Sequence, residues 1–461
     1  MGGIGGGHEG RAARRELGRA RRDEVPIEAH ASGPDGPDRD PLGVLAAQDR
    51  TRQPDLVPIR YARMSASPFA FYRGAAAVMA ADLAQHPATG LEVQLCGDAH
   101  LANFGGFAAP DRRLVFDLND FDETLPGPFE WDVKRLVASL VVAARGNGLK
   151  ARRADEVARA TAAAYRTAIA EAADQDPLTV WYGRVDIEDL VAQLGAAGKK
   201  ADRKRIERRR AKVARKDHLG ALAKLTEVVD GRRRIVDRPP LISRFPDDRL
   251  AEELDALAAF GEGYRESLSS DRRALFDRYE VVDLARKVVG VGSVGTRCLV
   301  ALLVTGDDEP LFLQIKEAGP SVLESHLGPS IHDNAGRRVV EGQRLIQSAS
   351  DVLLGWSRFD GPDGPRDFFV RQLWDHKASA SVEAMGGSLL TAYGEACARS
   401  LASAHARTGD AAAIAGYLGD DDAFDTALAA YGAACAARND ADHALLVAAI
   451  DDGEVEVAAE G

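Results

Sequence analysis

The sequence predicts an α+β protein with two lobes, on three observations. Its 461 residues are 45% hydrophobic, enough for a large core. Runs rich in β-branched and apolar residues concentrate between positions 281 and 377. Helical apolar spacing dominates the chain on either side of that block. We therefore expect a flexible arm at 1–55, one half of a helical lobe at 56–180, a helical and basic insertion at 181–280, a β-rich lobe at 281–377, and C-terminal helices that complete the helical lobe at 378–461.

Each element has a local reason. The arm is rich in Gly, Arg, Asp and Pro, with one short helix expected at 11–22. Ser67 and Pro68 form a helix start, and 69–83 reads as one buried helix. A strand at 93–96 delivers the turn Gly97-Asp98, and a strand at 113–118 delivers Asp117 and Asp120. Helical spacing follows Pro128 and continues to about Ala173. Between Lys199 and Lys216 eleven of eighteen residues are Lys or Arg, a solvated arm that could also touch a polyanion or a partner. Asp230-Gly231 between apolar residues marks a hairpin turn. Strands are expected at 287–289, 297–304, 311–316 and 368–373, with a helix at 338–350; from Ser388 the chain is Ala-rich and helical.

Composition excludes several classes. The formal charge of −12 argues against a general nucleic-acid binder. Cys96, Cys298, Cys397 and Cys435 are far apart with no CxxC, so neither a zinc site nor a disulfide framework is indicated, and a cytoplasmic setting fits. No apolar run reaches the roughly 18 residues of a membrane span. The glycine-rich start lacks the apolar core of a signal peptide, and Gly6 stands where a myristoylation signal needs Ser or Thr.

The chemistry concentrates in Gly97-Asp98-Ala99-His100-Leu101-Ala102-Asn103 and in Asp117-Leu118-Asn119-Asp120-Phe121-Asp122. Phosphoryl transfer needs a carboxylate beside the attacking hydroxyl and oxygen ligands for Mg²⁺ on the nucleotide phosphates. Asp98 and Asn103, five residues apart, with Asp120 or its rival Asp117, offer both. Far downstream, Gly290-Val291-Gly292-Ser293-Val294-Gly295 matches GxGxxG. A dinucleotide-binding reading requires a helix after the glycines, but 296–304 reads as a strand, so the glycines cap a β-hairpin able to lay N–H groups over phosphates. Lys316 then supplies a phosphate-gripping cation, Glu341 on the following helix is its expected partner with Glu324 as competitor, and Gln372 and Leu373 are expected to hold the adenine. Two other readings compete: a metal-dependent hydrolase using His100, His405 and the aspartates, and a nucleotide-binding pseudoenzyme that regulates a partner through the basic arm.

These motifs resemble the aminoglycoside and choline phosphotransferase branch of the protein-kinase-like fold, with Cys96 in place of the usual histidine. The resemblance implies ATP and Mg²⁺ as cofactors and a small-molecule hydroxyl, or a protein hydroxyl, as acceptor. It implies Asp98 as base within the Asp98, His100 and Asn103 frame, and Asp132 as the brace of the catalytic loop. It places Asn103 and Asp120 on the metal, and Gly290, Gly292, Ser293, Gly295 and Lys316 on the nucleotide. The chain from 58 to 410 also resembles a bacterial family catalogued only as a domain of unknown function. The glycine loop follows the catalytic loop by some two hundred residues, the reverse of the usual order, so a circularly permuted kinase-like fold is expected.

Overall fold

A computed structural model describes residues 9–36, 39–198, 225–229, 232–239, 241–288, 294–361, 364–373 and 378–458. The basic stretch 199–216, Asp230-Gly231, and Gly290, Gly292 and Ser293 lie outside them. The fold is α+β. Its first half carries helices α1 (Arg11–Glu24), α2 (Pro41–Asp49), α3 (Val57–Ser65), α4 (Pro68–Gly74) and α5 (Ala76–Leu83). Strands β1 (Glu92–Leu95), β2 (Phe104–Ala108), β3 (Leu114–Leu118) and β4 (Leu125–Pro128) follow, then helices α6 (Phe129–Gly146), α7 (Ala151–Ala173), α8 (Pro177–Tyr182) and α9 (Ile187–Ala197), with β5 (Val185–Asp186) between the last two. β1 pairs with β4, and β2 and β3 form the centre of a small antiparallel sheet.

Helix α6 is buried from Phe129 to Ala144: from Leu136 on its sequence is apolar on nearly every face, and in its first turns the buried Glu130, Asp132, Lys134 and Arg135 each meet a partner, which makes it the centre of a bundle instead of a surface helix. Around it pack α7 and two late helices, α14 (Gly387–Thr408) and α16 (Ala423–Asp451), separated by α15 (Ala411–Leu418). Phe129 and Tyr165 stack near-parallel with ring centroids 6.1 Å apart.

The β-rich half begins with the hairpin β6 (Thr226–Val229) and β7 (Arg232–Ile235), and continues through β8 (Ile242–Arg244), β9 (Glu280–Lys287), β10 (Cys298–Val304), β11 (Pro310–Ala318), β12 (Gly355–Gly361) and β13 (Gly364–Gln372). The last six form one antiparallel sheet in the order β12, β13, β11, β10, β9, β8. A short β14 (Ala378–Ser379) joins β2. Helices α10 (Asp247–Ser267) and α11 (Ser270–Phe276) precede the sheet's main strands; α12 (Glu324–Leu327) and α13 (Ala335–Ile346) lie between β11 and β12. Along β10, Ala301 and Leu303 pack with Phe260 and Tyr264 of α10, while Val300 and Leu302 pack with Ile235 and Phe312 on the opposite face. Burial on both faces explains its uninterrupted apolar run.

Several expectations change. The helix expected at 69–83 is two helices, broken at Ala75 (φ −109°, ψ 34°), where Gly74 packs so closely on Met64 that a Cβ would lie 2.7 Å from its Sδ. The Ser67 cap holds, accepting from the Ala70 N–H. The arm expected to be flexible contains α1 and α2. Gly18 of α1 sits directly on the Ala413 backbone. Arg39 bonds the carboxylates of Asp82 and Asp442 at 2.6 Å each, tying the arm to α5 and α16. Strand β12 escaped the sequence reading because GWSRFDG mixes glycine with charge, which an edge strand paired on one side tolerates. Among the described residues no helix is long and apolar enough to cross a membrane.

Candidate active site

The loop after β1 is positioned by its backbone. Gly97 has φ +83°, and a Cβ there would meet the Glu123 carbonyl at 2.3 Å, so only glycine fits the turn. Asp132, in the first turn of α6, accepts the N–H groups of Cys96 (2.7 Å) and Gly97 (3.0 Å). His405 of α14 lies 3.3 Å from Asp132, and its other ring nitrogen is 2.8 Å from the Tyr165 hydroxyl. Asp132 therefore acts on the loop's shape.

Asp98 points one oxygen at Arg135, whose Nε and Nη2 both lie 2.8 Å from Oδ1. Arg135 is itself fixed by stacking on the Tyr72 ring, 3.9 Å from its centroid, and by donating to the Tyr72 carbonyl. Oδ2 of Asp98 faces His100 Nε2 at 3.7 Å. Burial lowers His100 to about 4, leaving the ring neutral at pH 7. Asn103 Nδ2 lies 3.0 Å from the Asp98 carbonyl and 3.1 Å from the Asp120 carbonyl. Both partners can only accept, which fixes the amide orientation and leaves Oδ1 as the atom able to serve a ligand.

Lys316, on β11, reaches this loop from about two hundred residues away. Its ammonium is 2% exposed, 2.6 Å from Asp122 and 3.6 Å from Asp120. Burial alone would lower the lysine, but the two carboxylates outweigh it and its pKa is raised, so it stays charged. Arg338 of α13 donates to the carbonyls of Thr124 (2.8 Å), Asp122 (2.8 Å) and Gly319 (2.9 Å). Arg371 of β13 donates to the Asn119 carbonyl. A cleft of about 410 Å³ opens between the halves, lined among others by Arg52, Arg73, Asp98, Asn103, Asp120 and Asp122.

A family model described as an uncharacterized protein conserved in bacteria, DUF2252, matches residues 52–449. The chain belongs to that family. No curated protein and no solved structure matches it. The span matched to DUF2252 takes in the Asp98 loop, Lys316 and His405 but leaves out Arg39.

The structure brings Asp98, His100, Asn103 and Asp120 to one cleft with Lys316 behind it, and separates other candidates from them. Asp117 faces inward: it accepts from Ser400 (2.7 Å), the Leu118 N–H (2.9 Å) and the Ser348 N–H (2.8 Å), and is 2% exposed, so its oxygens are spent on the fold. Glu341 pairs with Arg344, not Lys316, because it lies on the outer side of α13. Glu324 pairs with Arg338. The Gln372 N–H is taken by Asp351 and the Leu373 N–H by the Phe312 carbonyl, so neither is free to donate to an adenine. Gly295 has φ +97° and packs against Arg52, which also donates to the Val294 carbonyl. Sequence reasoning missed Arg135, and it placed Asp122 in the acidic cluster without naming it as the partner of Lys316. Arg135 stands three residues after Asp132, on the same helix face, and that spacing was the available signal. Among the described residues no three His, Cys, Asp or Glu side chains gather as a metal cage.

Proposed function

We propose that this protein is an ATP- and Mg²⁺-dependent phosphotransferase with a circularly permuted kinase-like fold, acting on a hydroxyl of a small molecule. One observation carries the proposal: a buried lysine from a strand behind a glycine-containing hairpin meets the acidic turn of a loop that also carries Asp98 and Asn103. C-terminal α14 supports permutation, since Ser400 and His405 complete the bonding of Asp117 and Asp132 in the first half.

The donor set suits Mg²⁺, which takes one or two carboxylates together with substrate phosphates and does not need a cage of protein ligands. Asp120 and the free Oδ1 of Asn103 would hold it. When bound, Mg²⁺ would neutralise charge on the phosphate oxygens. Lys316 would grip phosphate oxygens while holding Asp120 and Asp122 in place, and Gly295 would let the hairpin approach closely. Arg135 engages Asp98 through Oδ1, so Oδ2 is left to orient the acceptor hydroxyl and take its proton. A hydrolase built on His100 and His405 is less well supported, since His405 is enclosed between Tyr165 and Asp132.

The test uses the full chain and a panel of hydroxyl compounds. Asp98→Asn should bind a Mg²⁺-loaded, non-hydrolysable ATP analogue as the parent does, while turnover falls by on the order of 10²–10⁴. A parent protein that binds no nucleotide, or a variant with unchanged turnover, defeats the proposal.

A further inference from the structure

We propose that the acceptor carries an oxyanion, a carboxylate or a phosphate, and that Arg73 is the residue that binds it; this rests on the phosphotransferase reading above. Arg73 ends α4 and lines the same cleft as Asp98, His100 and Asn103. Four of the carboxylates around that cleft already face cations of the fold, Asp98 with Arg135, Asp120 and Asp122 with Lys316, and Glu317 with Arg297 and Arg366, while Glu123 accepts the Val322 N–H. Arg73 differs from these cations. Among the described residues it makes no ion pair or hydrogen bond, and its buried Nε has no partner. Asp98, Asp120 and Glu383 are its electrostatic neighbours, yet none lies within salt-bridge distance among the described residues.

A half-buried guanidinium with an unanswered donor costs stability unless a ligand answers it. Its planar fork matches a carboxylate or phosphate through paired N–H donors, whereas an amine offers it nothing. The neutral His100 adds no competing positive charge. The second arginine of the cleft occupies a different place. Arg52 is tied to the Val294 carbonyl and lies 3.8 Å from Asp49, at the exit of the glycine hairpin, on the nucleotide side. Arg73 stands beside the residue proposed to activate the hydroxyl. An acceptor bound there would present its hydroxyl to Asp98 and its anionic end to Arg73, so cationic amino sugars and choline-like alcohols are the wrong class for this cleft.

The experiment titrates the full-length protein by calorimetry in the presence of Mg²⁺ and the non-hydrolysable ATP analogue. The probes are glycerate, glycerol 3-phosphate, glycerol and ethanolamine. The anionic pair should bind and the other two should not, and the stronger of the pair identifies the oxyanion as carboxylate or phosphate. Arg73→Gln should weaken the anionic probe by about tenfold or more while nucleotide affinity stays within about twofold, and Arg73→Lys should fall between. The proposal is overturned if no anionic probe binds, if glycerol or ethanolamine binds as well, or if Arg73→Gln leaves anion affinity unchanged. Equal loss of nucleotide affinity would also overturn it, by assigning Arg73 to the nucleotide phosphates. Absence of nucleotide binding would sink the phosphotransferase reading alone; the same anion titration on nucleotide-free protein would still decide the role of Arg73.

Discussion

The helical half and the β-rich half differ in where several of their buried charges find partners. In the helical half, Asp132 is met by the Cys96 and Gly97 N–H groups, Glu130 by Thr89, Asp425 by Arg166 and Asp442 by Arg39, all within that half. In the β-rich half, Lys316, Arg338 and Arg371 reach out to Asp122, to the carbonyls of Asp122 and Thr124, and to the Asn119 carbonyl. The turn at 119–124 is therefore a joint on which both halves depend. Removing one buried partner leaves the other charge uncompensated in a low-dielectric setting, so the position of the β-rich half and the ionisation of the acidic turn are coupled.

Breaking the largest of these links is the most direct challenge. Lys316→Met should destabilise the protein by about 3–5 kcal/mol, and adding Asp122→Asn should restore part of that loss. Denaturant midpoints measure both, and a double variant no better than the single one would show that the joint is not charge-coupled. Arg338→Leu should cost about 2–3 kcal/mol, since it strips donors from the Asp122 and Thr124 carbonyls. Amide exchange should then rise around 119–124 before it rises in α6; uniform loss of protection would contradict a joint. Glu123 gives the finest test. Burial raises it to about 6, against 4.5 unperturbed, so its contribution is fully present below about pH 4.5 and is lost as pH rises through 6. Glu123→Gln should match the parent at pH 4 and be more stable by about 2 kcal/mol at pH 7.5, read from melting temperatures. Equal stability at both pH values would remove Glu123 from the joint.

Much of this was legible where the chemistry is local. The Asp98 to Asn103 loop, the Ser67-Pro68 start and the apolar run of β10 all declare themselves within a few residues. Partner choice across the chain did not. The strand 114–118 is buried along most of its length, so no alternation marked Asp117 as inward and Asp120 as facing the cleft. Lys316 could be assigned to Glu341 by sequence distance, but only the packing of α13 turns Glu341 toward Arg344 and brings Arg338 to the joint. Strand β2 was missed because its FGGFA glycines carry no side chain to signal a face.

Arg39 carries a consequence for how this chain can be cut. It precedes the span shared with DUF2252, yet it separates two carboxylates, Asp82 and Asp442, that meet from opposite ends of that span. A fragment trimmed to the shared boundary would lose the arginine that answers both acids, in a place where burial already pushes the Asp82 carboxyl up, and would keep only the longer contact of Arg438, 3.8 Å from Asp442. The matched span thus stops short of a segment that packs against both of its ends, through Arg39 on Asp82 and Asp442 and through Gly18 on the Ala413 backbone.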